Sequence, residues 1–194
     1  MSKFAVLGSP ISHSKSPLIH SAIFRELGED HSYQAFELAT DLKSHLAQLD
    51  DSWRGLSLTM PLKEQALDAA ARADFVAIQA QAVNTLIRTE SGWDGYNTDV
   101  FGIQRALSSV SVEQVKHICI IGSGATATSA VFAVSQVFPT ASIRVIARNA
   151  GAAKKLKARA MQNGVKILIS PISKMRRKAS KCDLTISTLP GGAL

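Results

Sequence analysis

Between Gly8 and Pro17 the chain reads Gly8-Ser9-Pro10-Ile11-Ser12-His13-Ser14-Lys15-Ser16-Pro17, gathering hydroxyls, an imidazole and a lysine into one turn. The apolar run Phe4 to Leu7 precedes it as a strand. A helix is expected from Pro17, with Ser16 as its N-cap. Ser14 and Ser16 are two apart, so in an extended segment both hydroxyls point the same way. That pair suits a carboxylate or a polyhydroxylated ligand, although an ordinary capped turn uses the same residues.

Three further polar groups interrupt apolar patterns. Ser57-Leu58-Thr59-Met60-Pro61-Leu62-Lys63 puts Thr59 at a strand end and Lys63 in the first turn of the next helix. Gln81-Ala82-Val83-Asn84-Thr85 sets the Asn84 amide inside an apolar strand, and Gly95-Tyr96-Asn97-Thr98-Asp99 leads into a helix with Asp99 near its start. Thr59 and Thr98 also read as caps, Asn84 as a satisfied buried amide and Asp99 as a favourable charge at a helix N-terminus. Taken together, a lysine ammonium and a carboxylate suit the reduction of a ketone. Lys63 would protonate the developing alkoxide, and Asp99 would orient both the lysine and a substrate hydroxyl.

A hydride donor has its own signal. The apolar strand His117-Ile118-Cys119-Ile120-Ile121 runs into Gly122-Ser123-Gly124-Ala125-Thr126-Ala127 and then an apolar helix. The first glycine allows a tight turn and the second lets a pyrophosphate approach the backbone. The small Ala127 permits close helix–strand packing. The helix N-terminus adds free N–H groups and the positive end of a dipole. An NAD site places an acid about 20 residues past the glycines to hold the ribose hydroxyls. This chain instead gives Val145-Ile146-Ala147-Arg148-Asn149. Arg148 can fork onto a 2′-phosphate, with Lys154 or Lys155 assisting, so NADP is the expected cofactor.

The elements that must position these groups alternate between strand and helix, which argues an α/β protein with a mostly parallel sheet. Strands are expected at 3–7, 32–37, 55–59 and 82–88, the last extending toward Trp93, with helices at 17–27, 41–49, 61–70 and 98–108. A second alternation predicts strands at 117–121, 142–147, 165–169 and 183–188. Its helices fall at 125–137 and 151–162, with a basic one near 172–179. The domain junction is expected near 95–112, at the polar run Ser108-Ser109-Val110-Ser111.

Composition narrows the class. At 194 residues, with 46% hydrophobic and 19% charged content, the chain is a globular protein of one large or two small domains. No apolar run approaches the roughly 18 residues of a membrane span, and the short run after Met1 reads as a strand rather than a signal peptide. Cys119 and Cys182 both lie in apolar strand-like runs, as buried thiols rather than a disulfide or metal framework. A reducing, cytoplasmic setting follows. The net charge of +7 is concentrated late: residues 144–194 hold twelve Lys/Arg and one Asp/Glu, whereas residues 1–143 carry a balance of −4. Such a basic end attracts phosphates, and without interleaved aromatics it does not make a nucleic-acid groove. No Gly-x-Ser-x-Gly elbow is present, which removes a serine-hydrolase reading.

The segments Gly8 to His20, Gly55 to Lys63, Ala82 to Thr85, Tyr96 to Gly102 and Gly122 to Ala127 resemble, in order and spacing, the shikimate dehydrogenase family. The likeness covers essentially the whole chain. It implies an N-terminal α/β substrate-binding domain over residues 1–100 and a partial Rossmann-type doubly wound parallel sheet binding NADP over 101–194. It also implies an oxidoreductase that reduces 3-dehydroshikimate to shikimate with NADPH, in aromatic amino acid (chorismate) biosynthesis. The expected partners are the small-molecule substrate, with no metal, nucleic acid or membrane, and a homodimer is the candidate assembly. By position, the resemblance assigns Ser14 and Ser16 to the substrate carboxylate. Thr59, Asn84 and Asp99 fall to ring hydroxyls or the keto group, and Lys63 with Asp99 to the catalytic pair. Gly122, Ser123, Gly124, Ala125, Thr126 and Ala127 match the diphosphate loop, and Arg148 and Asn149 the adenosine end.

Two departures stand out: Ser57 replaces an asparagine common in the family, and Ala147 replaces the asparagine before the arginine. The family's C-terminal part, with a substrate-binding glutamine and part of the nicotinamide pocket, has no counterpart here, so an incomplete version of a longer protein is expected. A quinate/shikimate enzyme using NAD, or a catalytically silent shikimate-binding module, are the alternatives.

Overall fold

A computed structural model describes residues 1–109 and 114–192. Val110 and Ser111 of the expected junction, and Leu194, lie outside the described residues. The chain divides into two compact units, Met1–Thr98 and Asp99–Leu194.

The first unit runs β1 (Ser2–Gly8), α1 (Ser16–Glu26), β2 (His31–Glu37), α2 (Leu42–Ala47), β3 (Trp53–Leu58), α3 (Lys63–Ala69), β4 (Arg72–Ala73), α4 (Phe75–Ala80), β5 (Thr85–Thr89) and β6 (Gly92–Tyr96). Its sheet has the order β2-β1-β3-β5-β6-β4. β1 is parallel to both β2 and β3, whereas β5 runs antiparallel to β3 and β6. The two-residue period of β1 feeds both faces of the sheet. Ala5 and Leu7 join Leu56, Leu58, Leu62, Leu86 and Trp93 in one core. Val6 joins Ile11 and Tyr33 on the other face, with Phe4 and Phe24 packed alongside. Burial of both faces of a strand is what a covered parallel sheet requires.

Three expectations for this unit are corrected. The single strand at 82–88 is a hairpin, β5–β6, that turns at Glu90–Ser91, with Gly92 opening β6 at φ +120°. Asn84 therefore precedes β5 rather than lying inside a strand. The short α4 has no counterpart in the expected elements, because its apolar run shows no long helical period. Asp74 caps it, accepting from the Ala77 N–H at 2.6 Å. Helix α1 begins at Ser16 with Lys15, not Ser16, at its N-cap. Ser14 accepts the Ser16 N–H through its Oγ at 3.4 Å and donates its own N–H to the Ile11 carbonyl at 2.9 Å. The segment is thus a turn, and strand-like alternation does not set the directions of its hydroxyls.

This turn is tied to the sheet by Glu37 at the end of β2. Ser9 Oγ donates to Glu37 Oε1 at 2.6 Å, and the Ile11 N–H donates to Oε2 at 3.2 Å. The Ser9 hydroxyl first, and then the Ile11 amide, hold the Glu37 carboxyl below the usual carboxylate range.

The second unit runs α5 (Asp99–Ser108), β7 (His117–Ile121), α6 (Ala125–Val137), β8 (Ser142–Ala147), α7 (Ala150–Gln162), β9 (Ile167–Pro171), a 3₁₀ turn at Ile172–Lys174, α8 (Met175–Ala179) and β10 (Leu184–Ser187). All four strands are parallel in the order β10-β7-β8-β9. By sequence this is fourth, first, second, third, the order of one half of a doubly wound sheet. Ile118, Ile120, Ile143 and Val145 pack against Ala127, Ala130, Val131 and Val134 of α6. Helix α6 is buried from Ala127 through Val134 because its small residues let the sheet on one side and α5 on another approach closely. Cys119 is buried in β7, but Cys182 is half-buried in the turn before β10, correcting the expectation that both lie in strands. Burial first, and then the neighbouring Cys182 thiol, push the Cys119 thiol up to about 12.

Two expected outcomes follow from this packing. Phe132 is 1% exposed, and Phe132→Ala should destabilise the chain by about 3–5 kcal/mol in denaturant unfolding. Glu37 is ionised in the folded chain to a lower pH than in an unfolded one, so its tether is complete above the ordinary glutamate range and is lost as pH falls through the depressed value. The Ile11 amide resonance should therefore titrate with a midpoint below that of an ordinary glutamate. A midpoint at the ordinary value would refute the tether.

Candidate active site

In the first unit the candidate residues are gathered by main-chain hydrogen bonds where β1 and β3 end. The Thr59 N–H donates to the Leu7 carbonyl at 2.9 Å, and the Ser9 N–H donates to the Met60 carbonyl at 2.8 Å. The loops leaving the two parallel strands are thereby locked side by side. A Cβ on Gly8 would collide with the Thr59 side chain and come within 2.9 Å of the Met60 oxygen, so the approach needs glycine. The stitching continues outward. Leu58 N–H donates to the Asn84 carbonyl at 2.8 Å, and Val83 N–H to the Lys63 carbonyl at 2.9 Å. Thr59, Lys63 and Asn84 thus occupy one end of one sheet, with Lys63 as the first residue of α3.

Asn84 is 8% exposed and its side chain is engaged on several sides. Its Nδ2 donates to Thr98 Oγ1 at 3.0 Å, while its Oδ1 accepts from the Thr98 N–H and Thr85 Oγ1, each at 3.0 Å. It fixes the chain ahead of Asp99, which opens α5 as an acid in the helix's first turn. Asn97, absent from the expected site, is buried beside it and donates to the Ala82 carbonyl at 2.9 Å. Its signal was an amide two residues before an acid in a polar run.

Ser57 and Ser16 share a partner that the sequence did not single out. Tyr33 Oη donates to Ser57 Oγ at 2.7 Å and is also hydrogen-bonded to the Ser16 side chain. Burial raises the Tyr33 phenol above its ordinary value against the pull of both serines. The His20 ring stacks on it with centroids 4.2 Å apart and planes 5° from parallel, and burial pushes His20 below the usual histidine range. A lone strand tyrosine between Ser32 and Gln34 forms no motif, which is why this link was not legible.

In the second unit the strand-to-helix turn after β7 fits a diphosphate. Gly122 has φ +127°, and a Cβ there would run into the Thr188 hydroxyl. Gly124 caps α6 without any side-chain hydrogen bond, and a Cβ on it would meet nothing within 4 Å. The helix start therefore presents unshielded N–H groups over open space, which an anion can approach. Ala127 is fully buried against the strand, whereas Ser123, Ala125 and Thr126 line the turn at the surface or half-buried. Arg148 is exposed at the end of β8. Asn149 caps α7, its Oδ1 accepting from the Ala152 N–H at 2.9 Å. Among the described residues no group of three or more His, Cys, Asp or Glu could hold a metal ion, and no helix is long and apolar enough to cross a membrane.

Comparison with known proteins points one way. Residues 6–86 match the family model of the shikimate dehydrogenase substrate binding domain. Over 140 residues the chain is 36% identical to the NADP(+) shikimate dehydrogenase of Thermus thermophilus, an alignment covering 70% of this chain and 52% of that protein. The chain thus spans about half the length of this curated relative. The crystal structure of Mycobacterium tuberculosis shikimate dehydrogenase superposes with a TM-score of 0.84 at 33% identity, over 98% of this chain and 72% of that one. The Thermus thermophilus enzyme in complex with NADP(H) and shikimate gives a TM-score of 0.80 at 29% identity, over 97% of this chain and 69% of that one. The α/β fold, the ordered motifs and these similarities agree, and the chain belongs to the shikimate dehydrogenase family.

Proposed function

We propose that this chain carries the substrate-binding unit and the NADP-binding unit of an NADP-dependent shikimate dehydrogenase, reducing 3-dehydroshikimate to shikimate in the cytoplasm as a step of aromatic biosynthesis. The observation that supports the reading is the stitched end of the first sheet, where main-chain hydrogen bonds join the loops bearing Thr59, Lys63 and Asn84 and, through Ser9 and Met60, tie them to the loop that leads from β1 into the Ser14–Ser16 turn. In this reading Ser14 and Ser16 hold the substrate carboxylate, while Thr59, Asn84 and Asp99 bind ring oxygens. Lys63 carries the proton that the nascent alkoxide takes up at its oxygen, and Asp99 orients the lysine and the neighbouring hydroxyl. The nicotinamide cofactor, when bound, supplies the hydride.

Gly122 to Ala127 would hold its diphosphate against the start of α6, and Arg148 its 2′-phosphate. The exposed Arg148, with no acid following it in the strand-end run, supports NADP over NAD. The relative whose structure holds NADP(H) and shikimate lends the same support.

An absorbance assay at the reduced nicotinamide band, offering shikimate or quinate with NADP or NAD, tests the reading. Turnover confined to shikimate and NADP is expected. Binding of both ligands without turnover would favour a silent binding module, and a preference for quinate with NAD would favour the other enzyme. Lys63→Ala should lower kcat by about 10²–10⁴ with a milder effect on KM, and an unchanged kcat would remove Lys63 from the chemistry. Arg148→Ala should weaken NADPH by about 1.5–3 kcal/mol in calorimetry and leave NADH nearly untouched. Equal losses for both cofactors would sink the 2′-phosphate assignment.

A further inference from the structure

The strands of the second sheet have two ends, and only the carboxyl one is used by the reading above. Gly122 leaves β7 at its carboxyl end, with Arg148 beyond the same end of β8. At the opposite end, where β7 begins with His117 and β8 with Ser142, lies a cavity of about 220 Å³. Its wall combines Arg144, Lys178 and Lys181 with His117, Ser142 and Cys182 and with the apolar side chains of Ile118 and Leu168.

Three cations thus face a single small space, and among the described residues none of them pairs with a carboxylate. Arg144 donates to Ser170 Oγ at 3.0 Å through Nη1, which leaves its other guanidinium donors for a second partner. The stretch 144–194 contains a single acid, Asp183. That carboxylate is already committed, accepting the N–H groups of Lys116 and His117 at 2.9 Å each. Those two amides hold it below the usual carboxylate range.

Arg144 first, then burial, then Arg177, Lys181 and Lys174 push the Lys178 ammonium below the ordinary lysine range. Like charges around one cavity repel one another, and a bound anion relieves that repulsion. An arginine fork and two ammonium groups are partners for an oxyanion, whereas the Ser142 hydroxyl is itself engaged, donating to the Lys116 carbonyl at 3.2 Å with its Oγ 2.7 Å from His117 Nδ1.

We propose that this cavity is a binding site for a dianionic oxyanion of the phosphate class, taken either as the free ion or as the head of a small phosphomonoester. It is separate from the cofactor's diphosphate turn, because it sits at the other ends of the same strands.

The test is an amide-resonance titration of the isotope-labelled chain at constant ionic strength, with chloride exchanged for inorganic phosphate and, in a second arm, for glycerol phosphate. Saturable shifts are expected at His117, Arg144, Lys178 and Cys182. Arg144→Gln and Lys178→Gln should each weaken binding by about tenfold or more. Should Arg144→Gln disturb the fold, Lys178→Gln in the five-residue α8 decides alone. Equal affinity for the two ligands assigns recognition to the oxyanion, and tighter binding of the ester adds a contact to its organic part. The site is overturned by shifts that never saturate, by shifts confined to Gly122–Ala127, or by unchanged affinity in a folded Lys178→Gln chain.

Discussion

The first unit depends on two crossed main-chain hydrogen bonds, from Thr59 to Leu7 and from Ser9 to Met60. They bring the loops after two neighbouring parallel strands into contact, and that contact is possible only because residue 8 has no Cβ. Once those loops are locked, the bonds from Leu58 to Asn84 and from Val83 to Lys63 place two more candidate residues without help from any side chain. A site framed by backbone tolerates side-chain variation at its rim. Ser57 illustrates this: where the family resemblance leads one to expect asparagine, Tyr33 holds the serine hydroxyl at 2.7 Å.

The second unit solves a different problem. Its helix α6 is nearly apolar and is buried over eight consecutive positions, so packing alone fixes its axis. Its first turn is left bare: Gly124 contributes no cap, and space is open in front of it. Burying the body of a helix while leaving its N-terminal amides unshielded directs the dipole toward whatever anion arrives. The contrast with α7 is informative. There the Asn149 side chain satisfies the Ala152 amide itself.

Much of this was legible from the chain. The apolar runs at Phe4–Leu7 and His117–Ile121 are strands, and Lys63, Asp99 and Ala125 each open a helix, because apolar period and glycine placement are local signals. The misses share a cause. The hairpin β5–β6 was read as one strand because the apolar run of β5 was carried on toward Trp93, past the short Glu90–Ser91 turn that reverses the chain. Ser14 was read as extended, whereas its own hydroxyl closes a turn onto the Ser16 amide, a local bond that competes with strand geometry. Tyr33 and Glu37 were missed because each acts on residues more than twenty positions away, through contacts that only the folded sheet creates.

Those two long-range residues change how the serines should be regarded. Ser16 comes from the start of α1 and Ser57 from β3, yet one phenol serves both. Its ring is held flat against His20, which burial keeps in the neutral form to lower pH than an exposed histidine. The folded-state value of His20 is depressed, so this contribution is complete above the ordinary histidine range and is lost as pH falls through the lowered value. A neutral imidazole stacked on a neutral phenol brings no charge of its own near the serine hydroxyls. The turn that follows β1 is thus restrained twice, by the Glu37 carboxylate at Ser9 and Ile11 and by the Tyr33 phenol at Ser16. Both restraints weaken in acid, one by protonation of a carboxylate and the other by protonation of a buried ring. Acid should therefore loosen this turn before it disturbs the apolar core beneath, whose Ala5 and Leu7 carry no titrating group.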